Sequence, residues 1–98
     1  MSWYKISNEK QIDSPALLVY PDRLKANIDR MIKIAGSTER LRPHVKTYKM
    51  AEIVNAQMAQ GINKFKCATI SEAEMLAGCD VPDVLFAYQP VGPKIHRL

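Results

Sequence analysis

From residue 16 onward the sequence repeats one unit: a short aliphatic run, a turn, then a helical stripe that ends near glycine. Nothing else in the chain restricts its fold as strongly. The first run is ALLVY (16–20), which follows Ser14-Pro15. Pro21 and Asp22 then mark a helix start, with Asp22 as cap or first-turn acid. Leu24, Ile28, Met31, Ile32 and Ala35 recur at i, i+4, i+7, i+8 and i+11 and form one apolar stripe. Arg23, Lys25, Asp29, Arg30 and Lys33 take the other face, and Gly36 closes the helix. RLRPHVK (40–46) is the second strand candidate. Met50 to Gln60 predicts a second helix, with Met50, Val54 and Met58 at i+4 spacing and Gly61 just past its end. FKCAT (65–69) predicts the next strand. Thr69 followed by Glu72 is a capping-box pattern for the helix ISEAEMLAG (70–78). DVLFAYQ (83–89) predicts the last strand, and GPKIHRL (92–98) the first turn of another helix.

Strands alternating with helices over short connections predict a parallel sheet with right-handed crossovers. A (β/α)8 barrel takes about 250 residues, so this chain holds only its first units. The expected fold class is α/β, the N-terminal part of a (β/α)8 TIM-type barrel. Residues 1–98 would form one portion of that barrel domain, in a longer protein. A small free-standing α/β domain is the alternative.

Composition removes several other classes. With 47% apolar and 24% charged residues the chain is globular rather than disordered. No apolar run exceeds ALLVY or VLFAY (84–88), so no membrane-spanning helix is expected. The start, MSWYKISNEK, has no apolar core of a signal peptide, and a cytoplasmic protein is expected. Cys67 and Cys79 lack CxxC spacing and read as buried thiols. The net charge of +4 comes from 14 basic residues mixed with ten acids. No basic run or aromatic ladder points to nucleic acid; a small anionic ligand suits this balance better.

The segment with chemical content is Arg42-Pro43-His44-Val45-Lys46-Thr47-Tyr48-Lys49. In a strand over 40–46, Leu41, Pro43 and Val45 share one face, and Arg42, His44 and Lys46 the other. A dry barrel interior does not accept three basic side chains without anionic partners, either protein carboxylates or a ligand. Lys46 ends the strand, at the C-terminal rim where barrel enzymes place catalytic groups. A lysine there, near other cations and partly buried, suits Schiff-base chemistry. Spacing alone reads Lys46 and Lys49 equally well as solvated loop residues. Pro43 also weakens the strand, because it cannot donate to a ladder.

The stretches DSPALLVYPDRLKANIDRM, LRPHVKTYK, KCATISEAEMLAG and AYQPVGPKIHRL together resemble the D-threonine aldolase and D-serine dehydratase family. These are pyridoxal 5′-phosphate (PLP) enzymes with an alanine-racemase-like barrel of fold type III. LRPHVKTYK is similar to the family's R-P-H-x-K-T-H-K signature, and KCATISEAE to its C-A-T-x-x-E-A-E stretch. The resemblance runs from residue 13 nearly to the end. It implies that Lys46 forms the Schiff base with PLP, in a barrel followed by a β domain, usually in a homodimer. Tyr48 departs from the pattern, which usually has histidine there. The phosphate-cradling loops, the partner of the pyridine nitrogen and the divalent-metal ligands lie later in such proteins, and no metal ligand is assigned here.

What the resemblance implies is a PLP-dependent lyase acting on a small D-amino acid, by aldol cleavage of a 3-hydroxy amino acid or dehydration of D-serine. Lys46 is the catalytic residue, with His44, Arg42, Thr69 and Gln89 as cofactor-binding candidates. For Thr69 a helix-cap role competes with ligand contact, and for Gln89 turn packing does. His96 reads as a surface residue. Met50, Met58 and Met75 read as core filler. The alternatives are a catalytically incomplete fragment, an amino-acid racemase and a PLP carrier of the same barrel class.

Overall fold

Pro21 opens α1 (Pro21–Ala35) with its φ already suited to a helix, and Asp22 supplies the first-turn acid. The computed structural model describes residues 2–98. Gly36 ends α1 at φ 87°, a left-handed conformation that glycine takes without a Cβ penalty, and its N–H reaches the Ile32 carbonyl. The predicted stripe is the buried side of α1. Ile28 is buried, and Leu24, Met31 and Ile32 pack against the core. α2 (Ala51–Ala59) and α3 (Ile70–Gly78) follow close to expectation, and α4 (Lys94–Arg97) is one turn.

β1 (Lys64–Cys67) and β2 (Asp83–Phe86) pair in parallel, with Lys64 opposite Asp83 and Cys67 opposite Phe86. Period 2 sorts β1 cleanly. Phe65 and Cys67 are fully buried in one core with Val45, Val54, Ile62, Leu76 and Ile28, while Lys64 and Lys66 line the other face. Asp83 and Leu85 share that second face through the register. Cys67 is buried as expected, and Cys79 is half-exposed. Met58 and Met75 pack against the core, and His96 is exposed.

All four expected strands are shortened or missing; FKCAT, expected to reach Thr69, ends as β1 at Cys67. RLRPHVK contributes a single bridge, His44 opposite Lys66. The Val45 N–H donates to the Lys66 carbonyl, and the Lys66 N–H to the Pro43 carbonyl. One more parallel step toward Lys64 would need an N–H from residue 43, and proline has none. DVLFAYQ ends as a strand at Phe86. The Ala87 N–H takes the Cys67 carbonyl, and beyond it the neighbouring chain has turned away into the α3 cap. ALLVY is no strand at all. Its backbone forms no ladder among the described residues, and Leu17 and Leu18 are exposed.

The parallel sheet is left open. The accessible surface is 7371 Å², against about 5,700 Å² expected for a closed monomer of this mass. Val84, Leu85, Tyr88 and Val91, on and after β2, contribute apolar surface to the excess.

Candidate active site

The bridge at His44 is the point from which the site is built. His44 is held beside Lys66, and its Nδ1 accepts the Lys46 N–H at 3.2 Å. The chain then turns. The N–H groups of Tyr48 and Lys49 both converge on the Val45 carbonyl, and Lys49 closes the turn at φ 50°. Lys46 therefore stands exposed on a turn just past the strand's C-terminal end. Among the described residues it takes part in no ion pair.

Carboxylates answer two of the neighbouring cations, Arg42 and Lys49. Arg42 Nη1 lies 2.8 Å from Asp83 Oδ1 and also donates to the Phe65 carbonyl at 3.1 Å. This clamp joins the N-terminal ends of β1 and β2, and its guanidinium holds the Asp83 carboxyl below the usual range. Four extended residues span about 13 Å, so Arg42 works at the end of the sheet opposite to Lys46.

At the C-terminal end Glu72 is the buried acid. Its side chain is 3% exposed, its Oε2 lies 3.7 Å from Lys49 Nζ, and its Oε1 accepts the Ala68 N–H at 2.9 Å. Its own N–H donates to Thr69 Oγ1 at 3.1 Å, which makes Thr69 the N-cap of α3. Burial works to raise the Glu72 pKa. The Ala68 amide, the Thr69 hydroxyl, Lys49 and His44 outweigh it, and the carboxyl titrates below its usual range. A pocket of about 200 Å³ opens here, lined by Lys49, Thr69, Ser71, Glu72 and Met75. Gln89 is exposed on the coil after β2.

Tyr48 turns inward. Its hydroxyl donates to Oε1 of the buried Gln57 at 3.0 Å, and burial, then the Cys79 thiol, pushes its pKa up to about 12. It stays a neutral donor at every physiological pH, and its role is to fasten the turn to α2. Tyr48→Phe is expected to lose about 1–2 kcal/mol, because Gln57 is left unpaired inside. A loss under 0.5 kcal/mol in urea unfolding would remove this bond from the account.

The structure thus brings His44 and Lys46 together, sets Thr69 at the same rim, puts Gln89 on the coil after β2 and leaves Arg42 at the far end of the sheet. Two neighbours escaped the sequence reading. Lys66 was visible in the alternation of KFKC, which puts it on the His44 face. Glu72 was visible only as half of a capping box, since its tie to Lys49 needs the tertiary fold.

The alanine racemase N-terminal domain family matches residues 19–94, most of the chain. The chain belongs to this family. Its expected fold class stands: an α/β unit whose strands pair in parallel. Within the family, D-threo-3-hydroxyaspartate dehydratase of Delftia sp. (strain HT23) is 38% identical over 88 residues, 89% of this chain. D-threonine aldolase of Arthrobacter sp. is 31% identical over 84 residues, 85% of this chain. The chain spans 22% of the length of each of these relatives. A solved structure of D-threo-3-hydroxyaspartate dehydratase, a histidine-to-alanine mutant, superposes with TM-score 0.71 at 37% identity. That likeness covers 88% of this chain and 22% of the other.

Proposed function

We propose that this chain carries the Schiff-base lysine of a PLP-dependent lyase acting on small D-amino acids, and that the lysine is Lys46. The observation that carries the reading is the state of Lys46. It is an exposed amine at the C-terminal rim, with its backbone held by His44 and its side chain, among the described residues, in no ion pair with a carboxylate. Two relatives within the family, a D-threo-3-hydroxyaspartate dehydratase and a D-threonine aldolase, support the reaction class.

The residues present fit an anionic aldehyde cofactor. An uncommitted primary amine stands beside His44, and Lys66 adds a half-buried cation on the same face. When bound, the cofactor supplies an aldehyde for the lysine and an electron sink for the substrate carbon next to nitrogen. The chain's own part is to hold the amine and to place positive charge around the cofactor's anionic groups. Because Nδ1 of His44 accepts the Lys46 N–H, its Nε2 carries the proton and can donate. Thr69 and Gln89 follow the ends of β1 and β2, where rim residues reach a ligand. Arg42 acts at the far end, through Asp83.

A divalent metal is proposed only for the complete enzyme. Among the described residues no three His, Cys, Asp or Glu side chains converge. A cytoplasmic homodimer belongs to the same proposal. The open sheet supports a second reading, in which these 98 residues alone are catalytically inactive.

Incubation with PLP, borohydride reduction and peptide mass mapping test the assignment. A phosphopyridoxyl adduct is expected on Lys46 ahead of the eight other lysines. An adduct spread evenly over the exposed lysines, with no preference for Lys46, overturns it. Product analysis with D-threonine and D-serine then separates aldolase from dehydratase.

A further inference from the structure

We infer that Glu72 is a positioning residue for Lys46: it clamps the turn from Lys46 to Lys49 against the start of α3. The inference rests on the proposed role of Lys46 and adds the group that holds it. The Glu of a capping box normally reaches back to the cap at the protein surface. Here the carboxylate is 3% exposed and has a second partner, Lys49, at 3.7 Å. A buried carboxylate is costly unless paired and hydrogen-bonded, and Ala68 with Lys49 meets both needs.

Lys49 needs holding for its own reason. At φ 50° it is a non-glycine residue in the left-handed region, which persists only where its surroundings determine it. Its N–H is fixed on the Val45 carbonyl at 2.8 Å, and its amine is drawn to Glu72. Three residues earlier His44 Nδ1 holds the Lys46 N–H. The turn is therefore tied at both ends, by His44 and by Glu72, and the Lys46 side chain between them is left free. The cation facing Glu72 is Lys49 from the turn, and it favours the ionised carboxylate.

Glu72→Gln keeps the shape and the acceptor for Ala68 and removes the charge. Two readouts follow: amide hydrogen exchange at Tyr48 and Lys49, and the rate of borohydride-trapped PLP labelling at Lys46. Exchange at both amides is expected to rise about tenfold. Labelling at Lys46 is expected to slow about tenfold, as a reactive group loses its orientation. Labelling of Lys94, on α4 and outside the turn, is the internal control and should not change. Lys49→Met breaks the same pair from the exposed side and should reproduce both effects, which keeps the test open if Glu72→Gln does not fold. Either folded variant with exchange and Lys46 labelling within twofold of the parent overturns the inference. If the parent itself gives no adduct at Lys46, the proposed function fails, and the exchange data still decide the clamp.

Discussion

A Lys46→Ala chain is expected to lose all specific capture of PLP. The effect is all-or-none because no other amine can take the position. Lys49 is turned toward Glu72, and Lys66 is fixed within β1 beside His44. The visible imine absorbance of the bound cofactor and the reduced adduct should both vanish, while Lys49→Ala still forms the adduct on Lys46, about tenfold more slowly. Lys46→Arg separates charge from nucleophile: it retains the cation but offers no amine for the aldehyde. Stability should hardly move in Lys46→Ala, by less than about 0.5 kcal/mol, since the side chain is exposed and unpaired. A Lys46→Ala chain that still shows the cofactor's bound absorbance sinks the assignment.

Phe65→Ala is expected to have the largest effect on the fold itself, about 3–5 kcal/mol. Phe65 is fully buried in the middle of β1, the strand that receives the His44 bridge on one side and β2 on the other. Its ring joins Val45, Val54, Ile62 and Leu76 into one core, so its loss leaves a cavity under every element that carries the site. Domains are typically stable by only about 5–15 kcal/mol, and an open sheet has little to spare. Ile34→Ala is the control: it is 81% exposed at the end of α1 and should change stability by less than about 0.5 kcal/mol. Urea midpoints for the two variants check the contrast. A loss under 1 kcal/mol for Phe65→Ala would mean that the core lies elsewhere.

Much of the site was legible, though unevenly. The charge alternation of Arg42, His44 and Lys46 raised the question of what anion meets them. The structure divides the answer among three places: Asp83 takes Arg42, Glu72 takes Lys49, and Lys46 has no carboxylate partner among the described residues. Asp83 lies 41 residues beyond Arg42, too far for any local pattern to connect them. Tyr48 shows the same limit. Its departure from the family's usual histidine was plain, but its hydroxyl partner, Gln57, is on the next helix and facing inward.

By itself the sequence determined the helices, their ends and the position of the lysine motif. A helix closes its hydrogen bonds within four residues, so the stripe of α1, the stop at Gly36 and the cap at Thr69 can be read locally. The lysine motif is equally local, eight contiguous residues. Only the tertiary structure decided which apolar runs became strands. A strand exists through a partner's donors and acceptors. ALLVY found none among the described residues, Pro43 lacked the one N–H that would have lengthened the His44 bridge, and β2 stopped where its neighbour left for a helix cap. The ties of Arg42 to Asp83 and of Lys49 to Glu72 follow from that pairing, because they join residues that meet only once the sheet and helices are assembled.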